Sequence, residues 1–186
     1  MIALLFYTGL YMQVSQDTDS AEIDSKNMLE KYNVGPLGDD HAHAAIAIFI
    51  DNTEIDFSLE QFQLKSSYIH FENHNPYQIH RHATNVPLEI LFDSVGLAIT
   101  KDCIIINHES YCTDDSDLKF FVNEKPYSGI ASYAPNHKDR ILISLGEGSI
   151  PEQLEYLKSL PIYGLPKEAQ KIILVMSERF KVTIFF

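Results

Sequence analysis

Two pairs of histidines, each with one residue between its members, are the side chains best suited to chemistry in this chain. His41 and His43 begin the run HAHAAIAIFI, and His80 and His82 occur in YQIHRHAT. Imidazole nitrogen is a common protein ligand for Zn²⁺, Cu²⁺ and Ni²⁺. A single H-x-H pair is a weak motif, so the question is whether two strands bring the pairs together.

The spacing of the histidines predicts which face of each strand they occupy. Side chains alternate across a strand, so residues two apart lie on the same side. In the first run, the two histidines share one face and the isoleucines occupy the other. The same parity groups His70 with Glu72 and His80 with His82, away from the adjacent isoleucines. The pattern therefore predicts histidines on one sheet face.

The turn NHNP predicts a hairpin between YIHFE and YQIHRHA. Facing residues of a hairpin share a face, so His70 opposes either His80 or His82, a two-residue choice of register that the sequence leaves open. If the first run pairs alongside, copper or zinc is the expected cofactor. The predicted metal ligands are His41, His43, His80 and His82, with His70 as a further ligand. The competing interpretation is an exposed sheet face that merely carries histidines.

The remaining histidines fall in predicted turns and loops. His74 lies in the NHNP turn, His108 at the tip of a second hairpin, and His137 in APNHKDR, where it looks solvated. An open coordination position on zinc would let Glu72 act as a base toward bound water. However, the chain has no H-E-x-x-H motif, so no catalytic residue is predicted and an enzyme is the less favoured interpretation.

The two cysteines, in KDCIIINHESYC, are placed to face each other. If Asn107 and His108 form a two-residue turn, Cys103 faces Cys112 at a non-hydrogen-bonded position, where strands approach closely enough for a disulfide. Reduced core cysteines or a metal site are the alternatives. Eight residues lie between the cysteines, unlike the C-x-x-C of redox enzymes, which favours a structural bridge. A disulfide indicates an oxidising compartment.

Composition limits the class of protein. The chain has 186 residues, 45% of them hydrophobic, and a formal net charge of −12. Such a charge argues against a nucleic-acid partner, because phosphate binding needs clustered lysine and arginine. Residues 1–16 form a signal-like apolar segment that is too short to span a bilayer as a helix and has no preceding basic residue. The alternative interpretation of this segment is a buried N-terminal element.

The predicted fold is α+β, mainly an antiparallel sheet with one packed helix and a C-terminal helical extension. A polar linker over 17–40, with one helical turn, precedes a β-rich domain over 41–148, and a helical tail follows over 149–186. In the domain, Thr84 or Asn85 can cap a helix that Gly96 ends. Further strands are predicted in LKFFVNEKPYSG and DRILISLG. This order of elements resembles a β-grasp.

The histidine, helix and cysteine motifs quoted above resemble those of small exported His-rich proteins of ammonia-oxidising archaea and some bacteria. The likeness covers roughly residues 37 to 160 and carries over both H-x-H pairs and both cysteines. It implies export but no activity, although some members bear a thiol-disulfide label. The sequence thus favours an extracytoplasmic metal-binding protein that delivers or buffers copper or zinc. Its partner would be a metalloenzyme or a membrane complex.

Two alternatives use no bound metal. One is a thiol-disulfide protein that acts through Cys103 and Cys112. The other is an envelope interaction module in which the apolar stretch IILVMSERFKVTIFF contacts a membrane complex.

Overall fold

A computed structural model describes residues 26–113 and 118–164, and the backbone divides into two compact units. In the first unit, residues 1–34, helix α1 covers 26–31, where the sequence predicts a helical turn. The signal-like segment 1–16 and the apolar stretch after residue 164 lie outside the described residues. No helix within 26–113 or 118–164 has the length and apolar character of a bilayer-crossing segment.

The second unit, residues 35–186, contains the sheets. Its strands and helices are β1 (Ala42–Ile50), β2 (Thr53–Glu54), β3 (Ile69–Phe71), β4 (Gln78–Arg81), α2 (Leu88–Ser94), β5 (Leu97–Ile99), β6 (Cys103–Ile106), β7 (Glu109–Cys112), β8 (Lys119–Val122), β9 (Lys125–Pro126), β10 (Arg140–Leu145) and α3 (Ile150–Ser159). Short 3₁₀ turns occupy Glu60–Phe62 and Ile130–Ser132.

The larger sheet has the strand order β3-β4-β1-β10-β8-β9, with β2 paired to β1. Strands β1 and β10 run parallel at its centre, and the other pairings are antiparallel. A second sheet contains β5, β6 and β7. The predicted α+β class, with a mostly antiparallel sheet and a C-terminal helix, is confirmed, whereas the likeness to a β-grasp stays a prediction.

Strand β1 is buried on both faces, which explains its nearly continuous apolar sequence. On one face, Ile46 pairs with Ile141 and Ile48 with Ile143, and all four are fully buried. On the other face, Ala45, Ala47 and Phe49 follow His43. The small alanines leave room for a helix to approach this second face.

Helix α3 covers that second face. Its Leu157 packs with Ala45, Ala47 and Leu142, and Ile150 and Leu154 of the same helix join the cluster. The spacing of these helical residues is that of an amphipathic helix facing a core. The guanidinium of Arg140 donates to the backbone oxygens of Leu157 and Leu160, which satisfies carbonyls at the end of the helix.

Helix α2 ends as predicted but begins differently. Gly96 follows it with a φ of 69°, the left-handed conformation that favours glycine. The expected cap at Thr84 or Asn85 is wrong, because Pro87 occupies the N-cap position. Thr84 instead donates its amide and its hydroxyl to the carboxylate of Asp39, both over 2.8 Å.

Segment 35–40 is hydrogen-bonded to the end of β4. Besides the Asp39 contacts, the Gly35 amide donates to the Thr84 carbonyl over 3.0 Å. The domain limits at residues 41 and 148 stay a prediction, but the ordered contacts extend beyond both.

The cysteine hairpin has the predicted register. Asn107 and His108 have φ values of 53° and 67°, as a two-residue primed turn requires. Cys103 therefore faces Cys112, and a disulfide joins them across a Cα separation of 4.1 Å. This close spacing is typical of a non-hydrogen-bonded pair.

We expect the Cys103→Ser/Cys112→Ser double variant to lose about 2–3 kcal/mol of unfolding free energy, because the bridge restricts the unfolded chain. Urea unfolding followed by circular dichroism measures this loss. Wild-type protein with reductant is the matched control and should approach the variant's stability. Equal stability of oxidised wild type and variant would contradict a stabilising role for the bridge.

Candidate metal centre

Three histidines form a row across the strands β3, β4 and β1. His70 of β3 faces His80 of β4, and His80 in turn faces His43 of β1. Facing residues share a face, so all three side chains lie on the side of the sheet that α3 covers. The two-residue choice of register left open by the sequence is thereby settled in favour of His80.

The other two predicted ligands lie next to this row. His41 precedes β1 and His82 follows β4, and their ring centres are 4.8 Å apart. The Gly38 amide donates to the His82 carbonyl, and the amide of His41 donates to the Asp40 carboxylate. The five predicted histidine ligands therefore lie on one face of one sheet.

The tightest part of the cluster comprises His41, His43 and His80. The Nε2 atoms of His41 and His43 are 2.9 Å apart. The rings of His43 and His80 are centred 4.5 Å apart and nearly perpendicular. One potential ligand atom from each of the three residues lies within 4.8 Å of the other two. These three side chains are the most compact candidate for holding an ion.

The cluster is covered rather than exposed. His43 is 3% exposed, His70 8% and His80 9%. The backbone of Gly164 lies so close to the His43 ring that a Cβ there would come within 2.4 Å of it. The competing interpretation, an exposed sheet face that carries histidines, is therefore wrong for these three residues.

Gln78 links the segment at Tyr163 and Gly164, which covers His43, to the histidine cluster. Its Oε1 accepts a hydrogen bond from the Tyr163 amide over 2.7 Å, so its Nε2 is the group that lies 3.1 Å from His80 Nε2. A donor at that position favours the tautomer in which His80 Nε2 carries a lone pair. In the metal-free protein this lone pair accepts the Gln78 hydrogen bond, so an ion that binds at Nε2 must displace the Gln78 amide.

Burial keeps these imidazoles neutral. Burial, with repulsion from neighbouring imidazoles, lowers the pKa of His43 to about 3 and the pKa of His80 to about 4. Burial also lowers the pKa of His41 and of His82, in spite of the nearby Glu72 carboxylate. At neutral pH the four rings are therefore uncharged and able to donate lone pairs.

Two buried ring nitrogens have no hydrogen-bond partner among the described residues. They are Nδ1 of His43 and Nε2 of His70. An unsatisfied buried polar atom costs about 1–3 kcal/mol. Most buried polar groups in native proteins are satisfied, so these two nitrogens are candidate positions for contact with a water or an ion.

His137 is a neighbour of the cluster that the sequence did not reveal. It lies in a loop, as predicted, but it is half-buried, with its ring centred 5.6 Å from that of His43. The amide of His43 approaches its Nδ1 at 3.3 Å. The Lys138 amide donates to the His43 carbonyl and the Ala45 amide to the Asp139 carbonyl, which anchor the loop to β1. No local motif signals this contact, because it depends on the pairing of β1 with β10.

The other two histidines lie apart from the cluster, in the turns predicted for them. The side chain of His74 is 69% exposed and its Nδ1 lies 3.0 Å from the Ser58 carbonyl. His108 is exposed at the tip of the cysteine hairpin. Both serve as controls for the cluster.

We expect the metal-free protein to lose stability as the pH falls from 7 to 5. In the unfolded chain His43 and His80 titrate near pH 6.5, whereas in the folded chain they stay neutral until about pH 3 and 4. The unfolded state thus binds more protons in this window, so the free energy of unfolding falls, by roughly 2–4 kcal/mol in total.

Urea unfolding at several pH values, in the presence of a chelator, measures this slope. His43→Leu should reduce the slope, while His74→Ala should leave it unchanged. A wild-type profile that is flat between pH 7 and 5 would show that the cluster is not kept neutral by folding.

Comparison of the chain with family models, with curated proteins and with solved structures gives no match. The resemblance to small exported His-rich proteins therefore stays a prediction. The functional conclusion depends on the geometry of the histidine cluster.

Proposed function

We propose that this protein binds a divalent transition-metal ion, copper or zinc, through His41, His43 and His80, with His82 and His70 as neighbouring ligands. The observation that carries the proposal is the convergence of one ligand atom from each of the first three residues within 4.8 Å, a set that does not include His82 or His70, which lie beside it. Three or four imidazoles around a common point are a usual site for these metals.

The spacing suits an ion after a small adjustment. Two nitrogens at about 2.0–2.1 Å from a metal lie roughly 2.9 Å apart in a square arrangement and 3.3 Å apart in a tetrahedron. The Nε2 atoms of His41 and His43 are 2.9 Å apart, within reach of either. The outer limit of 4.8 Å is larger than the separation of about 4.1 Å for opposite ligands, so His80 would turn slightly toward the ion.

The charges near the cluster favour a cation. Neutral imidazoles bring no charge of their own, and the Glu72 carboxylate acts electrostatically on His41, whereas the Asp40 carboxylate is paired with the Arg81 guanidinium. Glu72 Oε1 also lies 3.4 Å from His80 Nδ1. A carboxylate at the far nitrogen of a ligating histidine orients the ring and raises its basicity.

The donor set narrows the choice of metal. Both cysteines of the chain are joined in the disulfide, so no thiolate is available. Imidazole and carboxylate donors suit Cu²⁺ and Zn²⁺ better than Cu⁺, for which sulfur ligands are preferred, or Ca²⁺ and Mg²⁺, for which oxygen is preferred.

An extracytoplasmic role in metal delivery or buffering is part of the proposal. The disulfide supports it, since such bonds persist mainly in oxidising compartments. The recipient would be a metalloenzyme or a membrane complex. The alternative of a thiol-disulfide protein has less support, because the bridge crosslinks facing residues of one hairpin and lacks the C-x-x-C spacing.

We expect purified protein to bind Cu²⁺ or Zn²⁺ stoichiometrically and His43→Leu to weaken binding at least ~100-fold, because a directly ligating imidazole should matter no less than its orienting partners. Competition with a chromophoric chelator measures the affinity. His74→Ala, which removes an exposed imidazole, should bind like wild type. Absence of stoichiometric metal, or equal affinities in all three proteins, would refute the proposal.

We also expect His43→Leu to lower the stability of the metal-free protein by no more than about 1–2 kcal/mol, because the loss of the contact between the Nε2 atoms of His43 and His41 is offset by removal of the unpartnered Nδ1. Urea unfolding with chelator present tests this. A large loss of stability would mean that His43 is needed for packing, and its effect on metal binding would then have to be tested with His41→Ala.

A further inference from the structure

The cluster contains potential ligands beyond the three residues proposed to hold one ion. His43 lies on β1 and His70 on β3, with β4 between them. The set of ligand atoms that lie within 4.8 Å of one another comprises His41, His43 and His80 and includes neither His70 nor His82. An ion held by His41, His43 and His80 therefore leaves His70 and its neighbours outside its coordination sphere.

His70 is nevertheless oriented like a metal ligand. Its Nδ1 lies 2.7 Å from the Ser66 carbonyl oxygen, which only accepts, so Nδ1 carries the proton. In the neutral ring Nε2 then carries a lone pair, and this buried atom has no hydrogen-bond partner among the described residues. A ring fixed through one nitrogen by a backbone carbonyl, with the other nitrogen bare, is the usual arrangement of a ligating histidine.

The group that faces this lone pair is a carboxylate. Glu72 Oε2 lies 3.5 Å from His70 Nε2. Two acceptors in such proximity repel each other unless a positive charge lies between them. Either a proton on His70 or a metal ion can supply that charge.

His82 completes a second set of donors. Its ring is centred 4.9 Å from that of His70. His70, Glu72 and His82 offer two imidazoles and one carboxylate, donor types that suit Zn²⁺ or Cu²⁺. These donors do not converge as closely as those of His41, His43 and His80, so their side chains would turn toward a common ion.

We propose that the sheet face holds two metal ions, the second bound by His70, Glu72 and His82 beside the first. This inference rests on the proposed function. His80 lies between the two positions, since its ring is centred 4.5 Å from that of His43 while its Nδ1 lies 3.4 Å from Glu72 Oε1. The carboxylate therefore orients a ligand of the first ion through one oxygen and binds the second ion through the other.

Titration of the chelator-treated full chain with Zn²⁺, followed by calorimetry and by metal content after gel filtration, tests the second site. Wild type should retain two equivalents. His70→Asn/His82→Asn, which leaves Glu72 in place to orient His80, should retain one equivalent with the affinity of the tighter wild-type site. Asparagine at position 70 keeps a donor near the position of Nδ1, so the contact with Ser66 is preserved, and His74→Ala is the matched control with two equivalents.

The outcomes separate the two proposals. No bound metal in wild type would refute the proposed function itself, whereas a single equivalent would refute only the second site. Two equivalents that persist in the double variant would place the second ion elsewhere and also refute the site. Cu²⁺ provides an independent reading, because two adjacent ions should broaden the paramagnetic resonance spectrum of the doubly loaded wild type but not that of the double variant.

Discussion

The antiparallel register between β1 and β4 is the constraint on which the histidine cluster depends. It sets His43 against His80 on one face and Ala44 against Ile79 on the other. A one-residue slip would exchange the two faces, and a two-residue slip would separate the facing imidazoles. The isoleucine face is fully buried between the sheet and the rest of the unit, so a slip would expose it. Apolar packing on one side thus determines the arrangement of ligands on the other.

Burial of the cluster is unfavourable for the metal-free chain and favourable for an ion. Polar rings are removed from water, and two of their nitrogens remain without a partner within the described residues. The same removal lowers the pKa of His43 and of His80, which preserves their lone pairs at neutral pH. A bound ion would satisfy the lone pairs and would stabilise the fold in proportion to its affinity. Under the proposed function, the burial that destabilises the metal-free chain would prepare the site for its ion.

Much of the site could be predicted from the sequence, because strand parity needs only the spacing of side chains. The cysteine hairpin was predicted to the residue, since a two-residue turn fixes the register. The NHNP hairpin was not, because a two-residue slip keeps every side chain on its own face. The Asn123-Glu124 turn, which divides LKFFVNEKPYSG into β8 and β9, lacks the glycine that would signal it. The cover by α3 and Gly164 and the approach of His137 depend on long-range packing that local patterns do not encode.

The most direct test of the account is to observe the imidazole nitrogens themselves. Two-dimensional ¹⁵N–¹H spectra that correlate ring nitrogens with ring protons can be recorded before and after one equivalent of Zn²⁺ is added. The account predicts metal-induced ¹⁵N shifts at one ring nitrogen of each of His41, His43 and His80, with no change at His74 or His108. Shifts at the two exposed histidines alone, or no shifts at any ring, would contradict it.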